Sequence, residues 1–180
     1  MALEEWVTKG TAPPPSRVPR IADGTAVMAE SIKMPTVPGF AHAPGANPIV
    51  PPVAWTDPQG RIDNVYGARV CAVDADGNEI AGIRLPPIAV PLGTYTRWNV
   101  YREQPRELAD RDGSFIAFAR TRQERETARD PRPSLQERYG IREAYVAKVR
   151  AAAETLVGER LLLAADAEAY VEVAKACDRF

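Results

Sequence analysis

Three groups of side chains in this 180-residue chain have the types needed for chemistry, and each can be tested against the spacing its chemistry requires. The first is nucleophilic. Serine catalysis needs a hydroxyl on a tight Gly-x-Ser-x-Gly turn with a histidine base in reach. The four serines are Ser16, Ser31, Ser114 and Ser134, and none stands in that pattern. Ser114 follows Gly113, but Phe115 and Ile116 come next in place of the x-Gly. The single histidine, His42, is embedded in a Pro/Gly-rich stretch, so a triad within the chain would have to be built on it. The second group is metal-ligating. Asp74, Asp76 and Asn78 imitate positions 1, 3 and 5 of a calcium loop, but position 6 is Glu79 where glycine is needed and position 12 is Leu85 where an acid is needed. The run Asp-Ala-Asp-Gly-Asn is better explained as a hairpin turn. Cys71 and Cys177 lie far apart and make no metal spacing, so they read as free thiols. No phosphate-binding loop, dinucleotide fingerprint or HExxH motif occurs. The third group is a cluster of amphipathic side chains, Tyr95, Arg97, Trp98 and Asn99, of the kind that lines binding pockets. These four are the candidate pocket-lining residues. No catalytic residue, metal ligand or cofactor site is assigned.

The elements that must position this cluster follow from pattern. Seventeen prolines crowd the first half, which rules out long helices there because an interior proline removes a hydrogen bond and clashes with the preceding turn. Residues 2–9 have a short helical pattern with Gly10 as its C-terminal cap, and residues 11–65 read as an extended arm or else a disordered linker, the arm favoured by Ile21, Val27, Phe40 and Trp55. Residues 1–65 are thus a short helix plus a proline-rich arm, and 66–180 an α+β domain. In that domain, segments 68–73 and 79–85 flank Asp76-Gly77 as a hairpin. Residues 86–100 read as an irregular buried crossing. Thr121 with Glu124, and Ser134 with Glu137, are two capping boxes that open helices at about 121–129 and 134–139. Ile141, Tyr145, Val149, Ala152 and Leu156 give the apolar stripe of a helix over 141–163. A last helix over 166–178 is expected to start at Asp166 and to bury Tyr170, Val173, Ala174 and Cys177. The fold class is α+β: a proline-rich N-terminal arm, a small antiparallel sheet around the hairpin, and a C-terminal helical layer.

Composition narrows the partners. Net charge is −1 and no basic stripe is present, which argues against nucleic acid. Apolar runs fall short of the roughly 20 residues that span a bilayer. The acidic start MALEEWVTKG does not look like a signal peptide, so the cytoplasm is the default compartment. Arginine outnumbers lysine nineteen to four, a hint of a GC-rich bacterial source.

Four runs carry a resemblance: VPRIADGTAV, DADGNEIAGIRLPPIAVPLGTYTRWN, DGSFIAFARTRQERETARDPRPSLQERY and VAKVRAAAETLVGERLLLAADAEAYVEVA. Together they resemble the C-terminal region of the bacterial α/β-hydrolase domain-containing proteins, and ALEEWVTKGTAPPPSR is similar to the segment that precedes that region. Arg97 departs from the family pattern, which has glycine there. The resemblance implies a serine esterase whose elbow, acid and histidine lie upstream of ALEEWV, outside these residues. The expected function is therefore that of a non-catalytic C-terminal portion which shapes or covers a hydrolase core and is inactive alone. Its partner would be that core, in cis or as a separate subunit, or a second copy of itself. The alternatives are a stand-alone binding or assembly module and, less favoured, an enzyme built on a carboxylate pair.

Overall fold

In a computed structural model, the structure describes residues 2–40, 67–101, 108–109 and 112–180. The central part of the proline-rich arm, with His42 and Trp55, lies outside the described residues. The class is mixed α+β. Six helices combine with three separate two-stranded antiparallel sheets among the described residues.

The chain opens with α1 (Ala2–Lys9), closed by Gly10 at φ +70° with its N–H donated to the Trp6 carbonyl. Strand β1 (Ala26–Met28) then pairs with β2 (Arg69–Cys71), so part of the arm is an edge of the body. Arg160 holds the arm from the other side, through Glu5 at 2.7 Å and the Ala12 carbonyl at 2.9 Å, and Arg17 meets Glu159 at 2.6 Å.

The turn expected at Asp76-Gly77 is formed. Gly77 is buried at φ +82°, and a Cβ there would come within 3.0 Å of Met34 and Thr94. The ladder beyond it is short: one bridge joins Val73 and Glu79, and β2 has β1 as its partner. The reason is Asn78. Its side chain reaches sideways, with Nδ2 donating to the Gly93 carbonyl at 3.1 Å and Oδ1 accepting from the Tyr95 N–H at 2.8 Å. The turn is thus tied to the next strand and not to a long arm of its own.

Residues 86–100 are more regular than their prolines suggest. Pro86 and Pro87 open a one-turn helix, α2 (Pro86–Ala89), where the missing N–H costs nothing. Strand β3 (Gly93–Thr96) follows and pairs in register with β6 (Ser114–Ala117), while β4 (Asn99–Val100) pairs with β5 (Leu108–Ala109). Gly93 is required at the crossing, because a Cβ would sit 2.5 Å from the Ile116 carbonyl oxygen.

Both capping boxes are formed. Thr121 caps α3 (Arg122–Ala128) and Ser134 caps α4 (Leu135–Tyr139), each with the glutamate three residues on reaching back. Helix α5 (Arg142–Gly158) packs against α6 (Ala164–Lys175). Helix α6 starts before Asp166, with Leu163 as an N-cap that lacks a side-chain bond; Asp166 falls in the first turn and favours the helix dipole instead. Of the expected stripes, Tyr145, Val149 and Leu156 are buried, whereas Ile141 is 61% and Val173 71% exposed. Ile141 precedes its helix and is off the helical phase. In α6 the buried positions are Ala167, Val171 and Ala174, one step round from Val173. The core gathers Val90, Tyr145, Val149 and Ala174, flanked by Leu92, Tyr139, Tyr170, Cys177 and Phe180. A fully buried aliphatic side chain such as Val149 contributes about 1.5–3 kcal/mol on burial.

Candidate functional site

Polar side chains converge where the 74–78 turn, the β3–β6 hairpin and the link between α3 and α4 meet. Helix α3 ends with Arg129 in the left-handed region at φ 57°, and Pro131 prevents its continuation. That break places Arg132 in the interior, 2% exposed. Its guanidinium grips Asp130 through Nε at 2.9 Å and NH2 at 2.6 Å. The remaining donors go to Thr94 Oγ1 at 2.7 Å and to the carbonyls of Ile116 and Ala117 at 2.9 and 3.3 Å. Thr94, also buried, donates to the Asp76 carbonyl. Asp76 in turn holds Arg138 through both carboxylate oxygens. Arg132 and Arg138 stand over the Phe118 ring at 5.1 and 4.1 Å, a cation–π arrangement on a ring that is itself 1% exposed.

Electrostatics follow this wiring. Burial pushes the Asp130 carboxyl up, but the hydrogen bonds and charge of Arg132 outweigh it and hold the group below its ordinary value. Glu137 is drawn down to about 2 by the Ser134 backbone and hydroxyl donors, with Arg125 adding to the effect. Asp74 accepts from the Asp76 and Asn78 N–H groups, both at 3.0 Å, and pairs with Arg84 at 3.0 Å. The calcium-like acids are therefore engaged by backbone donors and guanidinium groups. Among the described residues no group of three His, Cys, Asp or Glu could hold a metal ion. The network can fix the relative positions of three elements. It offers no free nucleophile or base.

Two of the serines have hydrogen-bond partners, Ser134 through its hydroxyl and Ser114 through its backbone. Ser134 is fully buried and exchanges hydrogen bonds with Glu137, and the Ser114 N–H donates to Thr96 Oγ1 at 3.0 Å.

The contacts of the four predicted pocket residues run in different directions. Tyr95 lies on β3, half-buried, with its ring 4.8 Å from Phe115 across the ladder; burial raises its hydroxyl pKa, opposed by Arg179. The Arg97 side chain is 63% exposed and meets Glu79 at 3.4 Å. The Trp98 ring lies tilted against Phe40 of the arm, centroids 5.6 Å apart at 38°, and its carbonyl accepts from Thr96 Oγ1 at 2.6 Å. Asn99 opens β4, where its Oδ1 accepts from the Val100 N–H at 2.8 Å. Sequence reading met Asn78 only as part of a calcium-like turn and Thr94 only beside the pocket cluster, and it gave no role to Asp130 or Arg132. The one signal in the chain was Arg132 between two prolines, in a segment unable to form helix or ladder yet rich in charge.

A family model described as an alpha/beta hydrolase domain matches residues 1–172. The chain belongs to the alpha/beta hydrolase domain family. No curated protein and no solved structure matches it. For this family member the relationship extends over α1, the arm, the buried Arg132 network and nearly all of α6, without a serine elbow in the matched residues.

Proposed function

We propose that this chain is the non-catalytic portion of an α/β-hydrolase-like serine esterase, covering or shaping a hydrolase core that supplies the serine, acid and histidine, and that it is inactive alone. One observation carries the reading: the hydrolase-family match spans residues 1–172, yet no Gly-x-Ser-x-Gly occurs in them and the sole histidine is His42. The surface of α1 supports it. Leu3, Trp6 and Val7 share one helix face and are 70%, 53% and 77% exposed, although an eight-residue helix has little stability without a covered apolar face. A hydrolase core, in cis or as a separate subunit, would cover that face. Tyr95, Arg97, Trp98 and Asn99 form the part of this portion that borders the acyl or alcohol pocket, where the Arg97 cation narrows the space left by glycine in the family pattern. A stand-alone assembly module is the second reading, in which a second copy of the chain covers α1.

The test is a fluorophosphonate serine probe with an ester panel. The chain alone should show no serine adduct and no turnover above buffer. Tagged in its native cells, it should be continuous with, or bring down, a band that the probe labels. A probe adduct on Ser16, Ser31, Ser114 or Ser134, with turnover lost on the matching Ala substitution, would overturn the reading. A 19.7 kDa species without any labelled partner would favour the assembly module.

A further inference from the structure

Helix α5 closes in a Schellman arrangement: the Leu161 N–H is donated to the Leu156 carbonyl at 2.8 Å and the Arg160 N–H to the Val157 carbonyl at 2.9 Å. The residue that turns the chain in this motif is left-handed and usually glycine, because a Cβ is disfavoured there. Here it is Arg160, at φ 61°. The backbone strain accompanies a side chain that is put to use. Arg160 NH2 meets Glu5 Oε2 at 2.7 Å, and NH1 donates to the Ala12 carbonyl at 2.9 Å. One residue earlier, Glu159 pairs with Arg17 at 2.6 Å. The end of α5 thus fastens the N-terminal segment at residues 5, 12 and 17. Apolar burial does little to hold that segment. No residue of α1 is buried, and Leu3, Trp6 and Val7 are exposed. Ala2 and Glu5 instead line an open cleft of about 440 Å³ together with Val157, Leu161, Leu162 and Leu163. The fastening side chains are all partly exposed, and pairs of that kind are weak and screened by salt.

We propose that α1 and the arm to residue 17 form a releasable strap, latched by Arg160 to the end of α5. Latched, α1 is one wall of the cleft over Val157 and Leu161–Leu163; screening of the latch lets α1 swing away and uncovers that apolar floor. A glycine at position 160 would end α5 with less strain, but it could not hold Glu5 or the Ala12 carbonyl. The strap stands on the isolated chain and does not rest on the hydrolase reading, so a failed latch and an absent catalytic partner are separate results.

The experiment follows amide hydrogen exchange in the isotope-labelled chain by NMR, at low salt and at about 0.5 M sodium chloride, where screening reaches within a few ångströms. Exchange at residues 6–11, the end of α1, should quicken about two-fold or more at the higher salt, while the interior of α5 and α6 keeps its rates. Arg160→Gly should quicken it by about five-fold at low salt and leave less salt dependence, since both of its contacts are lost. That variant keeps the fold, because glycine is at ease in the left-handed turn. Glu5→Gln, which leaves α5 untouched, should give a smaller effect in the same direction. Arg129→Gly is the control: it relaxes the same backbone strain at the end of α3 and should leave α1 unchanged. Wild-type exchange at residues 6–11 in Arg160→Gly would overturn the latch. So would an equal effect of Arg129→Gly, or α1 exchange in the unsubstituted chain that is indifferent to salt.

Discussion

Arg132 joins two strands, a helix link and an aromatic ring with one side chain, and the energetics of buried charge set what its loss would cost. Its pair with Asp130 is almost wholly out of water, at 1% and 8% side-chain exposure. Such a pair need not be a net gain over an apolar core, but removing one partner leaves the other charged and unsatisfied, at about 3–5 kcal/mol. Arg132→Ala is therefore expected to lower the urea unfolding free energy by about that amount and to loosen the β3–β6 hairpin, since the Ile116 and Ala117 carbonyls lose their donor too. A loss below about 1 kcal/mol would mean that water enters and solvates Asp130, and that the network is not the clamp described above.

At the level of elements, α3 and α4 are five to seven residues long and too short to persist on their own. Their caps hold them, with Leu135 buried at the start of α4 and the Arg125–Glu137 pair joining the two helices. Thr121→Ala should cost about 1 kcal/mol by chemical denaturation, the usual worth of an N-cap. Ser134→Ala should cost more, because Ser134 is buried and its hydroxyl also donates to Glu137. The α4 cap has a pH signature. Glu137 is drawn from 4.5 to about 2, so the unfolded chain takes up its proton first as pH falls. The stabilisation is present above about 4.5 and lost between there and about 2. Glu137→Gln should flatten the acid limb of the stability curve in that window. An unchanged limb would place the acid sensitivity elsewhere, with Asp130 the next group to test.

For the whole molecule, stability at high pH depends on the aromatic core. Tyr139, Tyr145 and Phe180 pack with ring centroids 5.2 to 6.0 Å apart, and the Tyr139 hydroxyl donates to the Pro91 carbonyl at 2.7 Å. Burial raises both phenols, Tyr145 from 10.0 to about 12. In the unfolded chain the phenol ionises first, so stability is intact below about pH 10 and falls as pH rises towards about 12. Absorbance at 295 nm should show these tyrosines ionising together with the loss of native circular dichroism. Tyr145→Phe should make the alkaline decline shallower. Ionisation of Tyr145 near pH 10 with the native spectrum intact would contradict its burial.

The sequence alone determined what depends on neighbours along the chain. The two capping boxes, the left-handed glycine in the 74–78 turn, the Gly10 stop and the α+β class all rest on contacts within a few residues, where residue type dictates backbone conformation. The absence of a serine elbow was equally plain in the residue order. Tertiary structure decided what depends on partners remote in sequence. Strand β3 exists because β6 supplies its ladder, and Asn78 turns the hairpin towards β3 through bonds to residues fifteen and seventeen positions away. Arg132 is buried because Thr94, thirty-eight residues earlier, and the β6 carbonyls satisfy its donors. A guanidinium between two prolines looks solvated on paper. Only the surrounding acceptors make its burial tolerable, and their convergence is a property of the folded chain.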